Sequence, residues 1–340
     1  MPAWRQGMAV GEWRQIPNSA LSTAPRSVNA PGNTGPVSKV IAWNSFVIDP
    51  RNATVYSPAN GGHWDYAGNE VNSIRLSEAA PRWTELRAST AVSAIRESVT
   101  HYADGRPTSR HSYYGATFNP IRNRIMMIGG SRWGNGFIFG AMDGFNLASN
   151  DWDGARTFPD APNGAVALPE TAFVENPSTG DIYAFGSYSV FRWSSASNAW
   201  STLASGISIY GFEAASAFDT RRNRILVVAG QGDRHLFNVS NNSVQSVAFS
   251  GASSGLSGSG SGMVYEPWLD AYLFRRSAGG STVYRINAQT FAVDILPVTS
   301  GGSIPSATNG VYRRFLFAPT LGGVVYCPDY DSNMWFLRTT

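Results

Sequence analysis

ATFNPIRNRIMMIGG, residues 116–130, is the stretch on which the fold of this chain turns. An apolar run ends at Asn119–Pro120, a polar turn follows, and a second apolar run leads into Gly129–Gly130. Asn119 can accept backbone N–H bonds and so start a turn, and Pro120 presets φ for it. Asn123, late in the turn, tolerates positive φ. The flanking runs are rich in β-branched and large apolar side chains, so the unit is a β-hairpin. Residues 125–128 are apolar at successive positions, which fits a strand packed on both faces.

The same unit recurs along the chain as FVIDPRNATVY (46–56), AFVENPSTGDIYAFG (172–186), SAFDTRRNRILVVAG (216–230), MVYEPWLDAYLF (263–274) and LFAPTLGGVVY (316–326). The proline position reads Pro50, Pro120, Pro177, Thr220, Pro267 and Pro319, and an apolar strand residue follows five places later each time. The anchors are 70, 57, 43, 47 and 52 residues apart. Repeats of roughly 40–50 residues belong to propeller blades of four strands each. Between anchors lie candidates for the third strand (NSIRL, SVFRW, HLFNV, TVYRI, NMWFL) and for the fourth, marked by Trp-x-x-aliphatic at Trp83–Leu86 and Trp200–Leu203.

That last signature also occurs at Trp13–Ile16, ahead of the first hairpin, whereas the sixth repeat stops after its third strand. The N-terminal strand therefore supplies the missing strand and removes the open edges. The expected fold is all-β: a six-bladed β-propeller of four-stranded antiparallel blades, one domain over 1–340. Residues 11–17 form its closing strand and 40–340 its six repeats.

The hairpin with its double glycine resembles kelch-type propellers, including the central domain of galactose oxidase. The likeness spans residues 11–340 and is carried by MMIGG at Gly129–Gly130 and by GGHW at Gly61–Gly62. In texture the chain is also similar to propeller proteins encoded by bacteria and their phages. A copper site of the galactose oxidase kind would need Tyr and His ligands and a Cys-linked Tyr. No ligand motif aligns with His63, His101, His111 or His235, and Cys327 reads as a small buried hydrophobe. DYDSN (329–333) and GQGDRH (230–235) lack the spacing of a calcium loop, so neither metal nor cofactor is expected.

The composition agrees with this class. Of 340 residues, 14% are charged and 13% aromatic, while 35 Gly and 19 Pro suit many short strands and tight turns. Net charge is +3 and Lys39 is the only lysine. No basic block marks a nucleic-acid partner. A single cysteine excludes an internal disulfide. The opening segment has no apolar core of a cleavable signal peptide, and no apolar run is long enough to span a membrane.

In a propeller, the second-to-third-strand loops share a face with the blade-to-blade connections. The longest spacing lies at blade 1 and its junction with blade 2. Its segments GGHWDYAGNE (61–70), PTSRHSYYG (107–115) and GGSRWGNG (129–136) are rich in aromatic and polar residues. Long loops in compact domains are functional or disordered, and disordered ones are poor in aromatics. The expected ligand site is His63, Trp64, Asp65, Tyr66, Arg110, His111, Tyr113, Tyr114 and Trp133. Arg110 would supply a directional contact, and Trp64 or Tyr113 a stacking surface. The other reading is that these aromatics only pack the loops. Glu70, Glu170, Glu213 and Asp233 are candidate acids on the same face, but no motif singles out a catalytic pair. The Gly/Ser segment 250–262 reads as a mobile loop on that face.

The function expected is recognition without catalysis, of a glycan or a surface protein. Phage structural proteins are further candidate partners. The setting would be a virion or extracellular surface, with the chain cytoplasmic before assembly. A glycoside hydrolase or lyase, and a purely structural virion component, are the alternatives.

Overall fold

A computed structural model describes residues 1–137, 140–162, 171–186, 188–206, 213–278, 280–300 and 303–340. The six hairpins form the inner halves of six antiparallel sheets. Their first strands are Val47–Asp49, Ala116–Asn119, Ala172–Glu175, Ala215–Asp219, Gly262–Glu266 and Phe315–Ala318. Each of these touches the first strands on either side, and the sixth touches the first, so the ring is closed. Second, third and fourth strands follow outward in each blade.

The turn chemistry is as the repeat implies. Side-chain oxygens of Asp49, Asn119, Asn176 and Asp219 accept backbone N–H bonds from Arg51, Arg122, Ser178 and Arg221 at 2.8–3.0 Å. Three places after each anchor the backbone is left-handed: Ala53, Asn123, Gly180, Asn223, Asp270 and Gly322 have φ between 49° and 72°. Only Ala53 lacks both glycine's freedom and a polar side chain, so it carries the strain most plainly.

The strands explain their own continuous apolar runs. Alternate residues point to opposite faces, and each face meets a different neighbouring blade. Ile125 and Met127 pack towards blade 1 with Tyr56 and Val71. Met126 and Ile128 pack towards blade 3 with Phe173 and Trp193. The core is thus a set of layers between blades, and Ile225 lies fully buried between blades 3 and 4.

Closure is by the strand Glu12–Gln15, which pairs antiparallel with Trp335–Arg338 in the register Trp13↔Leu337, Arg14↔Phe336, Gln15↔Trp335. Trp13 is fully buried, donates its indole N–H to Ser281 O at 3.1 Å, and shares the Arg275 guanidinium with Tyr326.

Three features go beyond the repeat. Blade 2 ends in a fourth strand of two residues, Asp151–Trp152. Short parallel strands, Ser250–Gly251 and Thr299–Ser300, extend the outer edges of blades 5 and 6. The segment 250–262, expected to be mobile, is anchored instead: Leu256 is buried, Gly258 N–H bonds Ala229 O, and Tyr114 donates to Gly258 O and Ser261 O.

Candidate functional site

Ring closure leaves a cavity of about 350 Å³ on the central axis, since its lining comes from the first strands of all six blades. The six anchor residues Pro50, Pro120, Pro177, Thr220, Pro267 and Pro319 all line it. The repeat signature is therefore also a channel signature. Phe118, Phe173, Phe218 and Phe317 make the wall apolar, and Tyr114 and Tyr312 contribute from the loop face. Arg313, just before the first strand of blade 6, donates to Phe173 O (2.9 Å) and pairs with Glu175 in blade 3, across the ring.

On the loop face, the two double glycines clamp one strand. Arg110–His111 pairs with Ser131–Arg132 outside the blades. A Cβ on Gly62 would meet His111 N at 2.4 Å, and one on Gly130 would meet His111 O at 2.4 Å. Only glycine allows so close an approach of three chain segments.

This clamp brings several of the expected site residues together. His111 Nε2 lies 2.8 Å from Asp65 Oδ2, and Thr34 Oγ1 donates to Asp65 Oδ1 at 2.7 Å. With a carboxylate as partner, Nε2 carries the proton. Burial holds the His111 pKa below its ordinary value against the attraction of Asp65, so the ring is neutral near pH 7. Partial burial opposes the Asp65 carboxylate, but its bonds from His111 and Thr34 outweigh that and hold its pKa low. Aromatic rings continue inward, from His63 to His111 (5.8 Å between centroids), to Tyr113 (6.1 Å), to Tyr312 (5.9 Å) and to Tyr114 (4.9 Å).

The remaining expected residues divide by exposure. Trp64 is 37% exposed and meets Trp133 edge to face at 5.4 Å. His63 is exposed and Asp65 partly so. Tyr66, His111, Tyr113, Tyr114 and Trp133 are buried. Arg110 does not face outward as expected: it is fully buried, with Nη2 2.6 Å from Asp143 Oδ2 and Nη1 donating to Gly129 O. His101 shares the same Asp143 at 2.8 Å. Arg110 thus braces the loops, as a buried charge must when its partner lies within the fold.

Among the candidate acids, Glu70 is buried against Lys39 and Tyr66. Glu213 is partly buried and Asp233 exposed, while Glu170 lies outside the described residues. Trp43, Thr34 and Tyr312 belong to the cluster but were not among the expected site residues; Trp43 meets His111 at 5.3 Å. Trp43 and Tyr312 each sit at positive φ in a connection between blades, and backbone conformation is not visible as a pattern in one sequence. Cys327 is buried, which pushes its thiol up to about 12. Among the described residues, no three His, Cys, Asp or Glu converge as a metal site, and no helix is long and apolar enough to cross a membrane.

The strand pairing and ring contacts define the class: this chain is a six-bladed β-propeller. No family profile and no curated protein matches it. In fold it is similar to the solved structure of YjhT, at 14% identity and a TM-score of 0.47, over 76% of this chain and 75% of that one. It is likewise similar to a chain of the Nidogen/Laminin complex, at 11% identity and a TM-score of 0.44, over 78% of this chain and 88% of that one.

Proposed function

We propose that this protein is a non-catalytic recognition propeller that binds a glycan or a protein surface through the ridge His63–Trp64–Asp65. One observation carries the reading. His63 and Trp64 both hold positive φ (39° and 66°) while their side chains are exposed. Bulky residues in that conformation cost free energy and persist only where the surroundings over-determine them. Here the surroundings do: His63 N–H bonds Arg132 O, Trp64 O accepts from Asn33, and Asp65 O accepts from Thr34 and Gly35. The result is a rigid aromatic face beside a carboxylate and an imidazole, the combination that stacks on a sugar ring and bonds its hydroxyls. The channel is the weaker candidate, because a closed six-blade ring leaves a hollow with or without a ligand. A phage particle or a bacterial surface assembly is the setting we propose for that contact, where a rigid ring would serve adhesion.

The test is a glycan array and a reducing-sugar assay on the intact chain and on Trp64→Ala. Binding without sugar release, lost at least tenfold in Trp64→Ala at an unchanged melting temperature, is the expected result. Binding that survives the substitution would move the site elsewhere, and sugar release would replace recognition with hydrolysis.

A further inference from the structure

The chain's only lysine is not at the surface. Lys39, in the short helix Ser38–Ile41 that leads into blade 1, has a side chain 1% exposed. Its Nζ lies 3.0 Å from Glu70 Oε1, 3.1 Å from Glu70 O and 2.8 Å from Asn72 Oδ1. Glu70 and Asn72 stand at the third strand of blade 1, and both are buried. Tyr66 donates its hydroxyl to the same Glu70 oxygen at 3.1 Å, while Glu70 Oε2 is buried with no hydrogen-bond partner among the described residues. The Asn72 amide is oriented: its oxygen faces the lysine and its NH₂ donates to Pro25 O at 3.3 Å.

An amine, a carboxamide and a carboxyl group held together away from water are the components of an amide-exchange reaction. We infer that Lys39 and Asn72 join in an intramolecular isopeptide bond, with Glu70 as the proton carrier. Glu70 first takes a proton from the Lys39 ammonium. The Nζ lone pair then forms a bond to Asn72 Cγ, giving a tetrahedral centre. Glu70 passes its proton to Nδ2 and removes another from Nζ. The Cγ–Nδ2 bond breaks, the carbonyl re-forms, and ammonia leaves with the Glu70 proton as ammonium. The sum is lysine ammonium plus carboxamide giving a secondary amide plus ammonium, with no oxidant or cofactor.

The surroundings favour each step. Burial lowers the Lys39 pKa against the pull of Glu70, which makes the neutral amine accessible. Fixed neighbours, with Nζ 2.8 Å from the Asn72 amide oxygen, replace the entropy cost of a bimolecular encounter. Gly68 leaves the space that Glu70 and Tyr66 occupy, since a Cβ there would meet the Tyr66 ring at 2.3 Å and Glu70 Oε2 at 2.4 Å. The bond would fasten the segment that follows the closing strand onto blade 1.

Intact-mass spectrometry of the purified full chain decides the matter. The expected mass is the sequence mass less one ammonia. Trypsin cuts after Arg26, Arg51 and Arg75, so residues 27–51 and 52–75 should emerge as one cross-linked species, uncut at Lys39. Lys39→Arg should restore the full sequence mass for that variant. A wild-type mass with no ammonia lost would overturn the inference. So would a loss that maps to a succinimide at an Asn-Gly pair rather than to Lys39 and Asn72. The wild-type measurement stands even if the variant fails to fold.

Discussion

Glu266 shows how a single buried carboxyl sets a pH limit on this ring. It ends the first strand of blade 5, accepts from Trp268 N–H and from Thr339 Oγ1, and is fully buried. Burial pushes its pKa up to about 7, and the two hydrogen bonds only partly offset that. A folded-state pKa above the unfolded value means that stability is intact below the usual glutamate range and falls as pH rises through about 7. Glu266→Gln should therefore gain about 1–3 kcal/mol at roughly pH 8.5 and nothing at about pH 4. Urea unfolding at the two pH values measures it; an equal effect at both would mean the carboxyl is not the titrating group. Sequence reading is weakest at this scale. Arg110 reads as a ligand contact because nothing local reveals that Asp143, a lone acid in the strand Met142–Asn146, is waiting for it. Lys39 and Glu70 pass unnoticed as a pair for the same reason: the contact is made by the fold, across two elements of no shared motif.

Strands and turns were far more legible. The Asx-Pro turn, the positive-φ residue three places on and the two-faced apolar runs are local properties, so the sequence expresses them directly. The closing strand is legible too, as a Trp-x-x-aliphatic unit with no hairpin of its own. Its importance can be measured. Deleting residues 1–17 removes Trp13 and Ile16, both fully buried, and leaves the outer edge of Trp335–Arg338 unpaired, its inner edge still held by Gly323–Tyr326. The deleted chain is expected to melt lower or to associate through the bare edge, read by scanning calorimetry and size-exclusion chromatography. A monomer with an unchanged melting temperature would show that this strand does not hold the ring. The two-residue fourth strand of blade 2 was not legible, because so short an edge has no periodicity to detect.

For the whole molecule, stability resides between blades and recognition is proposed on the loops, so the two should separate by mutation. Ile225→Ala, in the layer between blades 3 and 4, is expected to cost about 2–5 kcal/mol. Trp64→Ala, with over a third of its surface in water, should cost far less; chemical denaturation of both variants checks the ranking. Reversed costs would exchange the assignment of core and ridge. The closing strand has a further consequence, one of time rather than energy. During synthesis Trp13 emerges long before Leu337, its partner. At about 5–20 residues per second the interval is on the order of tens of seconds. Five blades can assemble meanwhile from neighbouring hairpins, but the last cannot. The closing strand must wait unpaired, with Trp13 uncovered, while neighbouring nascent chains on the same message carry the identical strand. Two copies can then trade strands, each completing the other's sixth blade, and the ring's own closure becomes a route to a swapped dimer.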